Sequence, residues 1–311
     1  ALSCLVGGIS NAAFAFLGHG IFDGSFWRFI TGICLAGIYP LGMKLVVSWS
    51  SDKRESTLGW LVGMLTLGTA TPHFLKYYGA AWDWQSVILV TTVLAWIAGV
   101  FVFAVGDGQH LTRAKNKSGF AVGVISAFKQ KDFCSSALGY FGHMWELYAF
   151  WAITPLLVNA VYKGPIAKVS LISFLVIGIG SIGCVLGGVA SRRFGSARIA
   201  ALSLIISALV CLVYPLASQL SSQLALVCLF IWGLSVVPDS PQFSALSAAA
   251  APITGVGSSL AIQNSIGFAI TMVSISLVTS SWLSIGPYVA WLLLPGPVFG
   301  LYGMRQLLKP R

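Results

Sequence analysis

The chain has 311 residues, 57% of them hydrophobic and 8% charged, with a mean hydropathy of +0.88 and a formal net charge of +10. Soluble domains carry about 25% charged residues, so this composition excludes an ordinary water-soluble globule and points to a polytopic protein with lipid as its outer solvent. The basic residues sit in short clusters between apolar runs, so the positive balance reads as an orientation signal and gives no argument for nucleic acid.

In chain order, apolar runs long enough to cross a bilayer as helices predict ten spans, at about 1–18, 26–47, 57–76, 84–105, 134–160, 169–189, 199–217, 223–246, 256–280 and 287–304. No alternating pattern of the kind a membrane barrel needs is present. The expected fold class is therefore an all-α polytopic membrane protein. Residues 106–133 are polar and basic and divide the chain into 1–105 with four spans and 134–311 with six. They predict a cytoplasmic central loop, whose middle, GFAVGVISAFKQ, fits a short interfacial helix or a solvated linker.

Lys and Arg set the orientation. If the first span starts in the cytoplasm, fourteen of the 18 basic residues fall on that side: Lys44, Lys53, Arg54, Arg113, Lys115, Lys117, Lys129, Lys131, Arg192, Arg193, Arg198, Arg305, Lys309 and Arg311. Arg28, Lys76, Lys163 and Lys168 fall outside, and the asymmetry supports both the span count and the orientation. The sequon at Asn116 falls in the basic loop and carries no meaning there. The six cysteines, Cys4, Cys34, Cys134, Cys184, Cys211 and Cys228, have no paired spacing and read as small apolar packing residues.

The chain contains an internal echo. Residues 28–40 read RFITGICLAGIYP and residues 229–241 read LFIWGLSVVPDSP, each with Phe-Ile-x-Gly followed eight positions later by Pro. Their offset is 201, which puts the counterpart of residue 134 about 65 residues ahead of Ala1. Two further spans are therefore expected upstream, giving twelve in two six-helix halves.

That arrangement resembles the major facilitator superfamily of secondary transporters. The segment GGVASRRFGSAR at 187–198 resembles the family's G-x-x-x-[DN]-R-x-G-[RK] loop, with Gly188, Arg193 and Gly195 at the glycine, arginine and second glycine places. Arg192 stands where the family has an acid, so no acid relay is carried over. Arg28 and Gly32 fill the arginine and glycine places of the family's fourth helix. The stretches HMWELYAFWA and PDSPQFSAL are similar to those of bacterial members described only as transporters. The resemblance implies a monomeric bacterial plasma-membrane transporter. It would move a small solute by alternating access, with protons as candidate coupling ions and no cofactor.

Several polar residues lie inside apolar spans. Glu146 is twelve residues into its span, about 18 Å from the cytoplasmic end and so near mid-membrane. A charge there costs at least about 2.5–3.5 kcal/mol on insertion scales. Glu146 must therefore face a cavity, find a partner or stay protonated, and His143, one turn earlier, is placed to share its proton. The reading that follows is a cavity-facing coupling acid; the bland alternative is a carboxyl hydrogen-bonded to a neighbouring helix. Asp239 lies between Pro238 and Pro241, which interrupt the helix, and Ser235, Asp239 and Gln242 share a face. It is expected either to contact substrate or to pair with Arg192 or Arg193. Gln263 and Asn264 sit mid-span and offer hydrogen bonds to a polar solute or between helices. Arg28 is near the outer end of its span and serves as an anchor or a coupling residue. Two rival functions remain beside transport: a membrane enzyme with His143 and Glu146 as acid–base pair, and a receptor that does not transport. Metal-type ligand spacing, a nucleophile beside a base and a phosphate-binding glycine loop are all missing from the sequence.

Overall fold

A computed structural model of the chain describes residues 1–49, 54–79, 82–109, 126–252 and 256–309. Among the described residues the regular structure is helical throughout, without strands. The helices are α1 Leu2–Leu17, α2 Ile21–Ala36, α3 Tyr39–Trp49, α4 Arg54–Tyr78, α5 Trp84–Val105, α6 Lys131–Val161, α7 Ile166–Phe194, α8 Ser196–Leu220, α9 Ser222–Ser235, α10 Asp239–Ala250, α11 Val256–Ile285, α12 Val289–Leu293 and α13 Pro295–Met304. Short 3-10 turns at Gly286–Tyr288 and Arg305–Leu308 flank the last two. Seven runs among the described residues are long and apolar enough to cross a membrane. α1, at 16 residues, is shorter, and α4 carries Glu55, His73 and Lys76. Most of the segment GFAVGVISAFKQ, expected as an interfacial helix or a linker, lies outside the described residues.

Three expected spans are not single helices. The second breaks at Gly37 and Ile38, where Pro40 has no N–H to donate to Ala36 and two tighter bonds, Gly37 N–H to Cys34 O and Ile38 N–H to Leu35 O, close the turn. The eighth breaks at Val236–Pro238 for the same reason, as Pro238 and Pro241 foretell. Val237 O, deprived of a bond from Pro241, accepts instead from Ser240 N at 3.0 Å. The tenth is assembled from α12, α13 and their flanking turns.

Two compact units emerge: Ala1–Asp52 with Pro72–Thr112, and Lys53–Thr71 with Arg113–Arg311. In the first, α1 packs against both α2 and α5. The Asp83 carboxylate caps α5 by accepting from Ser86 N at 3.0 Å and Ser86 Oγ at 2.6 Å.

In the second unit α6 is the most enclosed helix, packed on α7, α10, α11 and α13. Close crossings there depend on glycine. A Cβ on Gly183 would strike Leu234 O, and one on Gly187 would meet Pro238 at 3.1 Å, so α7 lies directly against the α9–α10 break. Likewise Gly59 of α4 lies against Gly188 of α7, where an added Cβ would come 2.7 Å from Cys184 O. Gly142 of α6 faces Gly296 and Gly300 of α13 in the same manner.

Candidate functional site

Glu146 sits at the middle of the 31-residue α6. Its side chain is not turned to an open cavity, as the sequence reading expected; it is buried between helices of its own unit. Trp232 Nε1 on α9 donates to Oε1 at 2.6 Å, and Cys211 Sγ on α8 donates to the same oxygen at 3.3 Å. Ser207 Oγ, one turn earlier on α8, donates to Oε2 at 2.9 Å. The carboxyl thus joins three helices, and in a membrane interior such pairing is what makes a buried acid tolerable. Trp232 is itself held firmly: its ring stacks on Phe150 with centroids 4.5 Å apart and lies beside Tyr214. Its single N–H finds an acceptor, as a buried indole requires.

His143 does not share a proton with Glu146 directly. Its Nδ1 stands 2.9 Å from Asp239 Oδ1, with both side chains buried. The two groups stand within salt-bridge distance, and the imidazole carries charge only when protonated. In this structure Asp239 stands against His143 and not against Arg192 or Arg193, the partners expected of it in outward-open states. Both arginines are exposed on the last turn of α7, where their charge suits the helix C-terminus, and Arg193 lies over the Phe194 ring at 5.4 Å. The register of Asp239 follows from α10 running back along α6. Ser136 Oγ donates to Phe243 O at 3.2 Å and meets Ser247 Oγ at 2.8 Å, and this register brings Asp239 opposite His143. Gly188 is pressed against α4, and Gly195 ends α7 with φ +86°, a conformation that favours glycine.

Buried polar atoms that find no hydrogen-bond partner among the described residues include His143 Nε2, both Oε1 and Nε2 of Gln242, and Gln263 Oε1. All three side chains are buried. Gln242 is one turn along α10 from Asp239, and Gly267, one turn along α11 from Gln263, packs against Tyr140 and Met144 of α6. Asn264, by contrast, is only partly buried. A buried amide left without a partner costs about 1–3 kcal/mol.

Arg28 belongs to the other unit. Its Nη1 donates to Asn11 Oδ1 at 3.0 Å, and the guanidinium lies 4.0 Å from the Phe14 ring centroid. Asn11 Nδ2 in turn donates to Ile88 O, Thr91 Oγ1 and Thr92 Oγ1, so one amide ties α1, α2 and α5 together. An open hollow lined by Phe14, His19, Ser25, Arg28 and Trp84 lies beside it.

Sequence reasoning missed four residues of these networks: Ser207, Cys211, Trp232 and Asn11. Only Asn11 left a signal, an amide inside an apolar run. Metal ligation has no support in the geometry, since no group of three or more His, Cys, Asp or Glu clusters among the described residues.

The family model described as Major Facilitator Superfamily matches residues 1–275. No curated protein matches the chain.

Proposed function

The chain belongs to the Major Facilitator Superfamily and is a multi-pass membrane transporter, and from that premise we propose that it is a secondary active transporter. It carries a small polar solute by alternating access and couples that movement to protons through Glu146. It works as a monomer in the plasma membrane of a bacterium, with halves 1–105 and 134–311 joined by the loop 106–133. The observation that carries this reading is the buried polar group of the second unit. Glu146, Asp239 and His143 are buried in that unit, as are Gln242 and Gln263 with their unpaired atoms. Intramembrane ionisable groups mark ion and substrate paths, and the unpaired amides suit a solute with hydrogen-bonding groups. Asp239 stands against His143, Glu146 is held by three neutral donors, and among the described residues no Lys or Arg is buried, so a proton is the charge the site most readily gains or loses.

The test is transport in proteoliposomes containing a pH-sensitive dye, using a panel of small polar solutes. Proton movement that depends on one solute class supports the reading. Glu146→Gln keeps the hydrogen-bonding shape but cannot titrate; it should retain solute exchange and lose accumulation driven by a pH gradient. A Glu146→Gln variant that still accumulates solute with unchanged pH dependence removes Glu146 from the coupling role.

A further inference from the structure

The three donors that surround Glu146 are not equivalent. Trp232 Nε1–H donates only and cannot reverse. It is fixed at 2.6 Å to Oε1 by the stack on Phe150. Cys211 adds a weak S–H donor to the same oxygen at 3.3 Å. Oε2 is met by a hydroxyl, which donates or accepts as its proton rotates. Ser207 Oγ also lies 3.3 Å from Leu204 O, a second acceptor in reach of the same proton.

From this geometry we propose that Glu146 takes its proton on Oε2 and that Ser207 is the positioning residue that lets both protonation states remain fully hydrogen-bonded. With the carboxyl ionised, the Ser207 hydroxyl donates to Oε2. On uptake of one proton from water an O–H bond forms at Oε2. That O–H donates to Ser207 Oγ, and the serine proton turns to Leu204 O. Oε1 keeps the Trp232 bond throughout and becomes the carbonyl oxygen of the acid. Neither state leaves a buried donor or acceptor orphaned, which would otherwise cost about 1–3 kcal/mol and bias the site against one state. The same crowd of donors argues against a metal cation here, because N–H, O–H and S–H groups present their positive ends to both oxygens. Of the other titratable groups, Cys211 on α8 hydrogen-bonds the carboxyl and Asp239 on α10 repels its charge. The inference rests on reading Glu146 as a titrating acid.

Infrared difference spectroscopy of the full chain in lipid nanodiscs, titrated with pH, reads this without any solute. The wild type should show a carboxylic C=O band that shifts in deuterated water and is missing in Glu146→Gln. Ser207→Ala removes a strong charge-assisted bond from the ionised form and a weaker neutral bond from the acid form. Its titration midpoint should therefore rise by about one pH unit, a roughly tenfold gain in proton affinity, while Ser207→Thr keeps the wild-type midpoint. Trp232→Phe removes the donor on the carbonyl oxygen, so it should raise the band frequency more than Ser207→Ala does. The opposite order would put the proton on Oε1 and overturn the proposal. So would an unmoved midpoint in Ser207→Ala, or a titrating band that survives Glu146→Gln. If Ser207→Ala does not fold, the Trp232→Phe frequency and the Ser207→Thr midpoint still decide. A chain that titrates as described yet moves no protons in vesicles defeats the coupling role alone.

Discussion

His143 Nδ1 stands 2.9 Å from Asp239 Oδ1, joining the middle of α6 to the first residue of α10 at the proline break, with both side chains buried. Removing His143 leaves the buried Asp239 carboxyl without the side chain that stands against it, and a buried polar group that loses its partner costs about 1–3 kcal/mol. We predict that His143→Ala lowers thermal stability in detergent markedly, and that adding Asp239→Asn restores part of the loss. A double variant whose loss equals the sum of the two single losses would show the pair to be uncoupled.

Glycine positions in α4 give a built-in contrast. An added Cβ at Gly59 comes 2.7 Å from Cys184 O and 3.1 Å from Gly188 Cα, whereas at Gly68 nothing lies within 4 Å. We predict that Gly59→Ala destabilises by about 1–3 kcal/mol, the usual range for overpacking. Gly68→Ala should be neutral or gain about 0.5–1 kcal/mol from the better helix former. Unfolding of the purified variants checks both, and equal behaviour at the two sites would refute the crossing.

Asn11 holds three helices with one amide. Interhelical hydrogen bonds in membranes average about 0.6 kcal/mol, with a maximum near 1.7. Asn11→Ala is predicted to lose about that much, and Arg28→Lys to lose the contact with Phe14 while keeping its charge. A fully stable Asn11→Ala variant would mean that these bonds are replaced by others.

The Asp83 cap has a pH signature. Hydrogen bonds from Ser86, side chain first and backbone second, hold its carboxyl below the usual carboxylate range. A group depressed in the folded state contributes stability above its unfolded pKa, which is lost as pH falls through the folded value. Fraying at the start of α5 is therefore predicted only in acid, below about pH 4. Hydrogen exchange at Ser86 N–H measures it, and Asp83→Ala should exchange fast at every pH.

The spans were legible because lipid demands long apolar runs, and the eighth-span break was legible because Pro238 and Pro241 cannot donate. Glu146 stood out by the cost of a charge at its depth. Its partners did not, because Ser207, Cys211 and Trp232 lie 61, 65 and 86 residues away in sequence. Serine, cysteine and tryptophan are ordinary contents of an apolar helix, so pairing leaves no mark on composition. The neighbour of Asp239 was hidden for a related reason: it is set by the antiparallel register of α10 on α6, a property of packing alone.

The crossing of α7 on the α9–α10 break has a mechanical consequence. At Gly183 and Gly187 no side chain cushions the contact, and the opposing surface is Leu234 carbonyl and the Pro238 ring. A backbone-to-ring contact has no rotamers with which to absorb a displacement. Any shift of α7 along its axis must push Pro238, and Asp239 is the next residue. Force applied near Gly195, where α7 meets the following turn, is thus delivered to the acid opposite His143 with little slack, as through a push-rod seated in a notch.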